Sequence, residues 1–191
     1  GRFLDWKHPE IPIIVAKRLK EDNINFRLNM IGTGILYDDI RSLINEYDLG
    51  DYVKLLGPQS PEVVRKYMEK SKIFLFTSDR NEGWGAVLNE SMNSGCSVIA
   101  NNHIGAVPYL VKDGNNAFIY KDIDEAYSLV KRLLTEESLS RFIGRNAYYS
   151  IVNIWNAEEA AKRILHLIRA IDKGEETPFE SGPCSMDTSF V

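Results

Sequence analysis

Cysteine is almost missing from this chain of 191 residues, which has two: Cys96 ahead of the apolar pair Val98 and Ile99, and Cys184 in a polar C-terminal stretch. Two thiols so placed make neither a disulfide framework nor a metal site, and the three histidines add no ligand cluster. An excess of positive charge is missing as well. Lys and Arg total 23 against 27 Asp and Glu, a formal net charge of −4 with no basic run, which argues against a nucleic-acid partner. Long apolar runs are absent too: none approaches the roughly 18 to 20 residues that span a bilayer. The first residues lack a signal-peptide pattern, so the chain reads as cytoplasmic. Asn89-Glu90-Ser91 matches a glycosylation sequon, but it falls inside a helical pattern and reads as chance.

What is present, 44% hydrophobic and 26% charged residues, suits one globular domain with a tail. Short β-type runs alternate with amphipathic helical patterns: FRLNMI (26–31), YVKLL (52–56), KIFLFT (72–77), SVIA (97–100) and AFIY (117–120). This alternation predicts an α/β, Rossmann-like fold, a doubly wound parallel sheet with helices on both faces. Ile11, Val15 and Leu19 mark one helix, and Leu36, Ile40, Leu43, Ile44 and Tyr47 a second that stops at Gly50. Ala126, Leu129, Val130 and Leu133 mark a third. A last one, from about 156 to 171, carries Ala160, Ile164, Leu167, Ile168 and Ile171 on one side and is expected to close the fold. The domain is placed at 1–172, with 173–191 as a polar tail or strap. No strand precedes the first helix, where a doubly wound sheet would have one, so the segment looks cut from something longer.

In such sheets ligands collect beyond the carboxyl ends of the strands. Gly32-Thr33-Gly34 lies there, after FRLNMI, where glycines let backbone approach a phosphate; a mere tight turn would read the same. A dinucleotide fingerprint would want a third glycine where Tyr37 stands and an acid where Leu55-Leu56-Gly57 ends the next strand. After KIFLFT comes the polar loop Ser78-Asp79-Arg80-Asn81-Glu82-Gly83-Trp84-Gly85, whose glycines expose amides at the start of the next helix. On that helix Leu88 and Met92 share the core side, so Glu90 faces away from it. Asp122 and Asp124 invite a metal reading, but Asp122 with Glu125 three residues on has capping-box spacing, and no metal is expected.

The string Glu82-Gly83-Trp84-Gly85 through Glu90 resembles the donor-site signature of retaining glycosyltransferases of the GT-B architecture, family 4 or group 1 type. There a glutamate, seven residues and a second glutamate bracket a Gly-aromatic-Gly turn. The resemblance covers most of residues 1–171. Gly1-Arg2-Phe3-Leu4 with Lys7 is similar to the family's Gly-Arg-Leu segment and following lysine; Gly32-Thr33-Gly34 resembles its glycine loop and Leu56-Gly57-Pro58-Gln59 its nucleobase loop. Ser94-Gly95 to Ala100 and Gly105-Ala106-Val107-Pro108 continue the match, though Tyr109 stands where many members have glutamate. It implies the donor-binding, C-terminal half of an enzyme that moves a hexosyl group from a UDP- or GDP-sugar to a saccharide or lipid-linked acceptor with retention, without metal or other cofactor. Arg2 and Lys7 would meet the diphosphate and Glu82 the transferred sugar. Glu90 would hold the ribose hydroxyls, and the amides of Trp84, Gly85 and Ala86 the sugar and phosphate oxygens. The acceptor would come from an N-terminal domain outside this segment, through which any membrane contact would run. A dinucleotide-dependent oxidoreductase domain and a noncatalytic module of the same fold are the alternatives.

Overall fold

The structure, a computed structural model, describes residues 1–186. After a 3₁₀ turn at Asp5–Lys7 the order is α1 (Glu10–Glu21), β1 (Leu28–Met30), α2 (Tyr37–Glu46), β2 (Val53–Leu55), α3 (Pro61–Lys70) and β3 (Ile73–Phe76). There follow α4 (Val87–Asn93), β4 (Ser97–Asn101), α5 (Val107–Leu110), β5 (Phe118–Tyr120), α6 (Ile123–Thr135), α7 (Glu137–Asn153) and α8 (Ala157–Asp172). All five expected strands are there, four trimmed at their ends and the one at 97–100 longer by Asn101, and every pairing is parallel. The helix starts follow local chemistry. Ser60 accepts the Val63 amide with Pro61 just inside α3, Asp122 accepts the Glu125 amide at 2.8 Å, and Asn156 accepts that of Glu159 at 2.8 Å. The Glu125 carboxylate returns to the Lys121 amide, so this acidic cluster is occupied with capping α6.

Strand β4 shows why the fold is doubly wound. Val98 and Ala100 point into a cluster with Leu88 and Met92 of α4 and Ala147 of α7; Ile99 points the other way, to Val15 and Leu19 of α1 and Val130 and Leu133 of α6. With helices over both faces, Ser97 to Ala100 are fully buried, and a continuous apolar run replaces alternation. A third cluster, Ile13, Met30, Ile40, Ile44, Leu49 and Val53, joins α1 and α2 to β1 and β2.

The single expected sheet is divided. β1 pairs with β2, β3 with β4 and β4 with β5, but β1 and β3 do not pair with each other. Between them runs an apolar slot.

Three helices, α3, the short α5 and α7, lie outside the patterns read from sequence. α7 packs across α4 and β4, and its Ser140 carbonyl accepts the Ser97 hydroxyl at 2.6 Å. The stripe on α8 does not close the fold: Ile164, Leu165, Ile168 and Ile171 are exposed, and Ala170 is the helix's one buried residue. Periodicity identifies an apolar face, not what covers it. The strap bends back on α8 instead, where Phe179 stacks under the Arg163 guanidinium at 4.6 Å and meets His166 edge-on. Residues 187–191 of that tail lie outside the described residues.

Cys96 is fully buried, with its thiol 3.2 Å from the Met68 carbonyl, and burial pushes its pKa up to about 11. Cys184 sits at the surface of the strap, partly exposed. At pH 8 a disulfide-exchange reagent should therefore titrate one thiol quickly and the second only in denaturant. Because an unfolded thiol ionises near pH 9 and this one near 11, alkaline pH should lower stability across that window; a pH series of urea melts with Cys96→Ala checks both.

Candidate functional site

The carboxyl ends of β1, β2 and β3 carry loops joined by backbone contacts into one rim. Residues 1–7 form the connecting piece. The Gly1 amino group reaches the Ile31 carbonyl at 2.5 Å, Phe3 donates to Thr33, and Leu36 donates back to Phe3. A Cβ on Gly32 would fall 1.6 Å from the Gly1 oxygen, and one on Gly34 would fall 2.2 Å from the Phe3 oxygen. The glycine pair thus admits protein backbone at this point. The Gly32 amide is taken by the Gly57 carbonyl at 2.9 Å, which ties the first loop to the second. Beyond Gly57, with φ at +65°, Pro58 and Gln59 are exposed, and the Gln59 side-chain amide donates to the Leu56 carbonyl at 2.7 Å.

Further along, the same segment is fastened to β3. The Thr77 hydroxyl donates to the Lys7 carbonyl at 2.6 Å, and the Asp79 amide donates to the Trp6 carbonyl at 3.0 Å. Lys7 Nζ forms an ion pair with the Glu82 carboxylate and lies 4.2 Å from the centre of the Trp6 ring. Both side chains are mostly buried, 21% and 12% exposed, so solvent screens the pair less than a surface bridge. His8, in the left-handed region at φ 46°, sets its ring between Glu10 at 3.0 Å and Asp79 at 3.3 Å. The Asn81 amide, aided by His8, holds the Asp79 carboxyl below its usual range.

Beyond Glu82 the loop docks on the α5 side. Gly105 donates to the Gly83 carbonyl, and a Cβ there would lie 2.2 Å from that oxygen; Ala106 donates to Trp84. Gly85 takes φ +74° in a place where a Cβ would press on the Phe76 ring and on Glu82. Among the described residues, the amides of Trp84, Gly85 and Ala86 donate to no protein acceptor. They lie at the start of α4, where Trp84 and Ala86 are exposed and Gly85 is buried. That helix begins at Val87, later than the sequence suggested, so Glu90 stands about one turn in rather than one and a half, exposed on the outer face. Seven residues give α4 little macrodipole; local amides carry whatever attraction for anions exists here.

The structure brings Lys7 together with Glu82 and sets both beside the Gly83–Ala86 turn. Arg2 is exposed where the slot opens, on the lining that also includes Lys7. Pro58 and Gln59 belong to the β2 end of the rim. Sequence reasoning missed the Thr77 anchor, His8 and the ring of Trp155, which lies 5.8 Å from that of Trp84; Tyr109 lies 5.6 Å away on the same indole. A polar residue at a strand's carboxyl end is the signal that could have found Thr77. For Trp155, 71 residues along the chain, there was none.

This arrangement of free amides, one cation held by a carboxylate, and an outward glutamate is suited to a sugar linked to a nucleoside diphosphate. The comparisons agree on the class. The family model described as "Glycosyl transferases group 1" matches residues 1–150, and the chain belongs to that family of glycosyltransferases. A Campylobacter jejuni N-acetylgalactosaminyltransferase acting on a diphospho-undecaprenol-linked sugar is 32% identical over 135 residues, 71% of this chain and 35% of its own. The putative colanic acid biosynthesis glycosyltransferase WcaL of Escherichia coli is 26% identical over 181 residues, 90% of this chain and 44% of its own. The chain therefore spans less than half the length of these curated relatives. Among solved structures, HepE of Anabaena in complex with UDP superposes with TM-score 0.77 at 20% identity, over 89% of this chain and 47% of HepE. The C-terminal domain of LpcC from Francisella tularensis, a group 1 glycosyl transferase, gives 0.75 at 20% identity over 82% of this chain and 84% of that one. The fold is the Rossmann-like domain of the GT-B architecture.

The Lys7–Glu82 pair is the mechanical link between residues 1–7 and the Gly83–Ala86 turn. A double-mutant cycle of Lys7→Met and Glu82→Gln in urea unfolding should return a coupling of about 1 to 3 kcal/mol. A coupling near zero would mean that solvent screens the pair.

Proposed function

We propose that this chain is the donor-binding part of a GT-B glycosyltransferase that transfers a hexosyl group, with retention and without a metal, from a UDP- or GDP-sugar to a saccharide or lipid-linked acceptor. The observation that carries the reading is the grouping of Lys7 and Glu82 beside the unclaimed amides of Trp84, Gly85 and Ala86, with Glu90 exposed one turn further on. A nucleotide sugar needs these groups in that order. Donors meet the diphosphate, a carboxylate meets the sugar hydroxyls, and a second carboxylate meets the ribose diol.

Bond breaking would put charge on the diphosphate oxygen that leaves the anomeric carbon. Lys7, Arg2 and the turn amides would stabilise that charge where it grows. The Glu82 carboxylate, which already pairs with Lys7, would face the sugar. The uridine nucleotide bound by HepE supports UDP as the first donor to try, and the colanic acid and undecaprenol relatives support a glycan acceptor. The acceptor site would belong to an N-terminal domain, so the 191-residue chain is expected to bind donor nucleotide and to transfer little. A cytoplasmic setting is part of the same proposal. No helix among the described residues is long and apolar enough to cross a membrane.

Calorimetric titration with UDP, GDP and NAD tests the reading. A response to UDP or GDP that survives a chelator is expected. A response to NAD alone would favour an oxidoreductase domain, and no response a noncatalytic module. Glu90→Ala should weaken the nucleotide by about 1.5 to 3 kcal/mol, the scale of a hydrogen bond to a charged group, without moving the urea midpoint. Unchanged affinity would remove Glu90 from the site.

A further inference from the structure

His8 stands in a conformation that most side chains resist. Its φ of 46° and ψ of 56° lie in the left-handed region, where glycine is the ordinary occupant. Two other non-glycine residues found there, Asn23 and Asp48, carry the short polar side chains that tolerate it, just beyond helices α1 and α2. An imidazole has no such local advantage, so the reason for its placement is sought in what the ring touches. The main chain is held on both sides of it: the His8 amide donates to the Asp5 carbonyl at 3.0 Å, and its carbonyl accepts from Ile11 of α1 at 3.2 Å.

The ring has a carboxylate on each side, with Nδ1 3.0 Å from Glu10 Oε1 and Nε2 3.3 Å from Asp79 Oδ2. An ionised carboxylate only accepts, and a neutral imidazole donates from one nitrogen alone. Both contacts are therefore hydrogen bonds only when the ring carries two protons. Asp79 is held in its ionised form by the Asn81 amide, which donates to Oδ1 at 2.8 Å. It is also a junction: its amide donates to the Trp6 carbonyl and its carbonyl accepts the Glu82 amide, each at 3.0 Å, and Glu82 pairs with Lys7. The links close a ring of four residues. His8 joins Asp79 by its side chain, Asp79 joins Glu82 by main chain, Glu82 joins Lys7 by the ion pair, and the peptide bond joins Lys7 to His8. A closed ring has fewer conformations than an open one, so releasing the His8–Asp79 link loosens the Lys7–Glu82 pair as well.

We propose that His8 is a positioning residue: doubly protonated and gripped by Glu10 and Asp79, it fixes Lys7 against Glu82 beside the Gly83–Ala86 turn, where the donor diphosphate is to be met. What this does for a ligand rests on the donor reading above; the clasp itself does not. A neutral ring leaves one carboxylate facing a lone pair. The rim therefore tightens as pH falls through the range in which a histidine changes charge, about 5 to 8, and loosens as pH rises through it. The charged groups around the ring are Glu10 of α1, Asp79 of the loop after β3 with the exposed Arg80 next to it, and Asp5 and Lys7 of the ring's own turn. Near Glu10 lies Tyr120 of β5, whose hydroxyl is pushed up to about 12 by burial and by the Glu10 charge, so it stays neutral throughout. Among all these groups the imidazole is the one whose ordinary chemistry places a change of charge in that range.

The test compares the chain with His8→Gly, which suits the left-handed backbone and removes the ring, and with Asp79→Asn, which keeps the ring and weakens its partner. Without ligand, amide exchange at residues 79 and 82 is followed by NMR and corrected for the exchange of an unstructured chain at each pH. Protection in the unaltered chain should fall about fivefold, the worth of one net hydrogen bond, between about pH 5 and about pH 8, and both variants should sit at the lower level throughout. Calorimetric affinity for UDP-glucose, whose diphosphate bridge keeps its charge over this range, should follow the same course. Protection in the unaltered chain that does not change with pH, or that survives in His8→Gly, would overturn the clasp. High affinity at the acid end in Asp79→Asn would overturn positioning and make His8 a direct charge on the ligand. If no protein bound UDP-glucose, the donor reading would fall, and the exchange result would still decide the clasp.

Discussion

The passage of residues 1–7 across the carboxyl ends of β1 and β3 is the constraint on which the rim depends. Loops from separate strands have no reason to hold a common geometry, since each costs entropy to order and can move alone. Here one short segment bonds Ile31 and Thr33 on the β1 side and Thr77 and Asp79 on the β3 side, then ends its turn on Glu82. Gly32 and Gly34 are the condition for that passage, because any side chain at either would collide with the crossing backbone. The glycine loop and the glutamate turn are therefore one mechanical unit, although they lie some fifty residues apart in sequence.

That unit also explains why the Gly83–Ala86 amides remain open. The turn's carbonyls are consumed by Gly105 and Ala106, which pins it from the α5 side, and Gly85 turns the chain at positive φ, which leaves the Trp84 to Ala86 amides without protein acceptors among the described residues. Fixed amides with no acceptor of their own are poorly tolerated inside a protein and useful at a rim, where they need no reorganisation when an anion arrives. The ion pair behind them works in the same direction. A lysine already held by a carboxylate loses little side-chain entropy on meeting a ligand.

Much of this was legible in the sequence, and the exceptions share a cause. Strands such as SVIA and the stripe Leu36 to Tyr47 declare themselves by period, and caps such as Asp122 by spacing to Glu125, because both are local properties. The Glu82 and Glu90 constellation could be read because its spacing is carried by a single loop and helix. What escaped depended on partners distant in sequence. Thr77 matters only because Lys7 passes beside it, Trp155 only because the α7–α8 junction folds against Trp84, and the start of α4 moved to Val87 because Gly105 and Ala106 hold the preceding residues out of the helix. Helix α3 is mostly polar and has one buried residue, Met68, and α7 is buried along a face that includes Ser140, Gly144 and Ala147, too small to register as an apolar stripe.

Two apolar surfaces remain open to solvent, and their physics differs. The face of α8 offers Ile164, Leu165, Ile168 and Ile171, all side chain; hydrophobic contact has no direction, so many covers would satisfy it equally. The slot lies between two strands that do not pair with each other, so its walls are main chain as well as side chain. Arg2 and Lys7 belong to that lining as well, so the cationic side of the rim stands where the apolar walls of the slot give out.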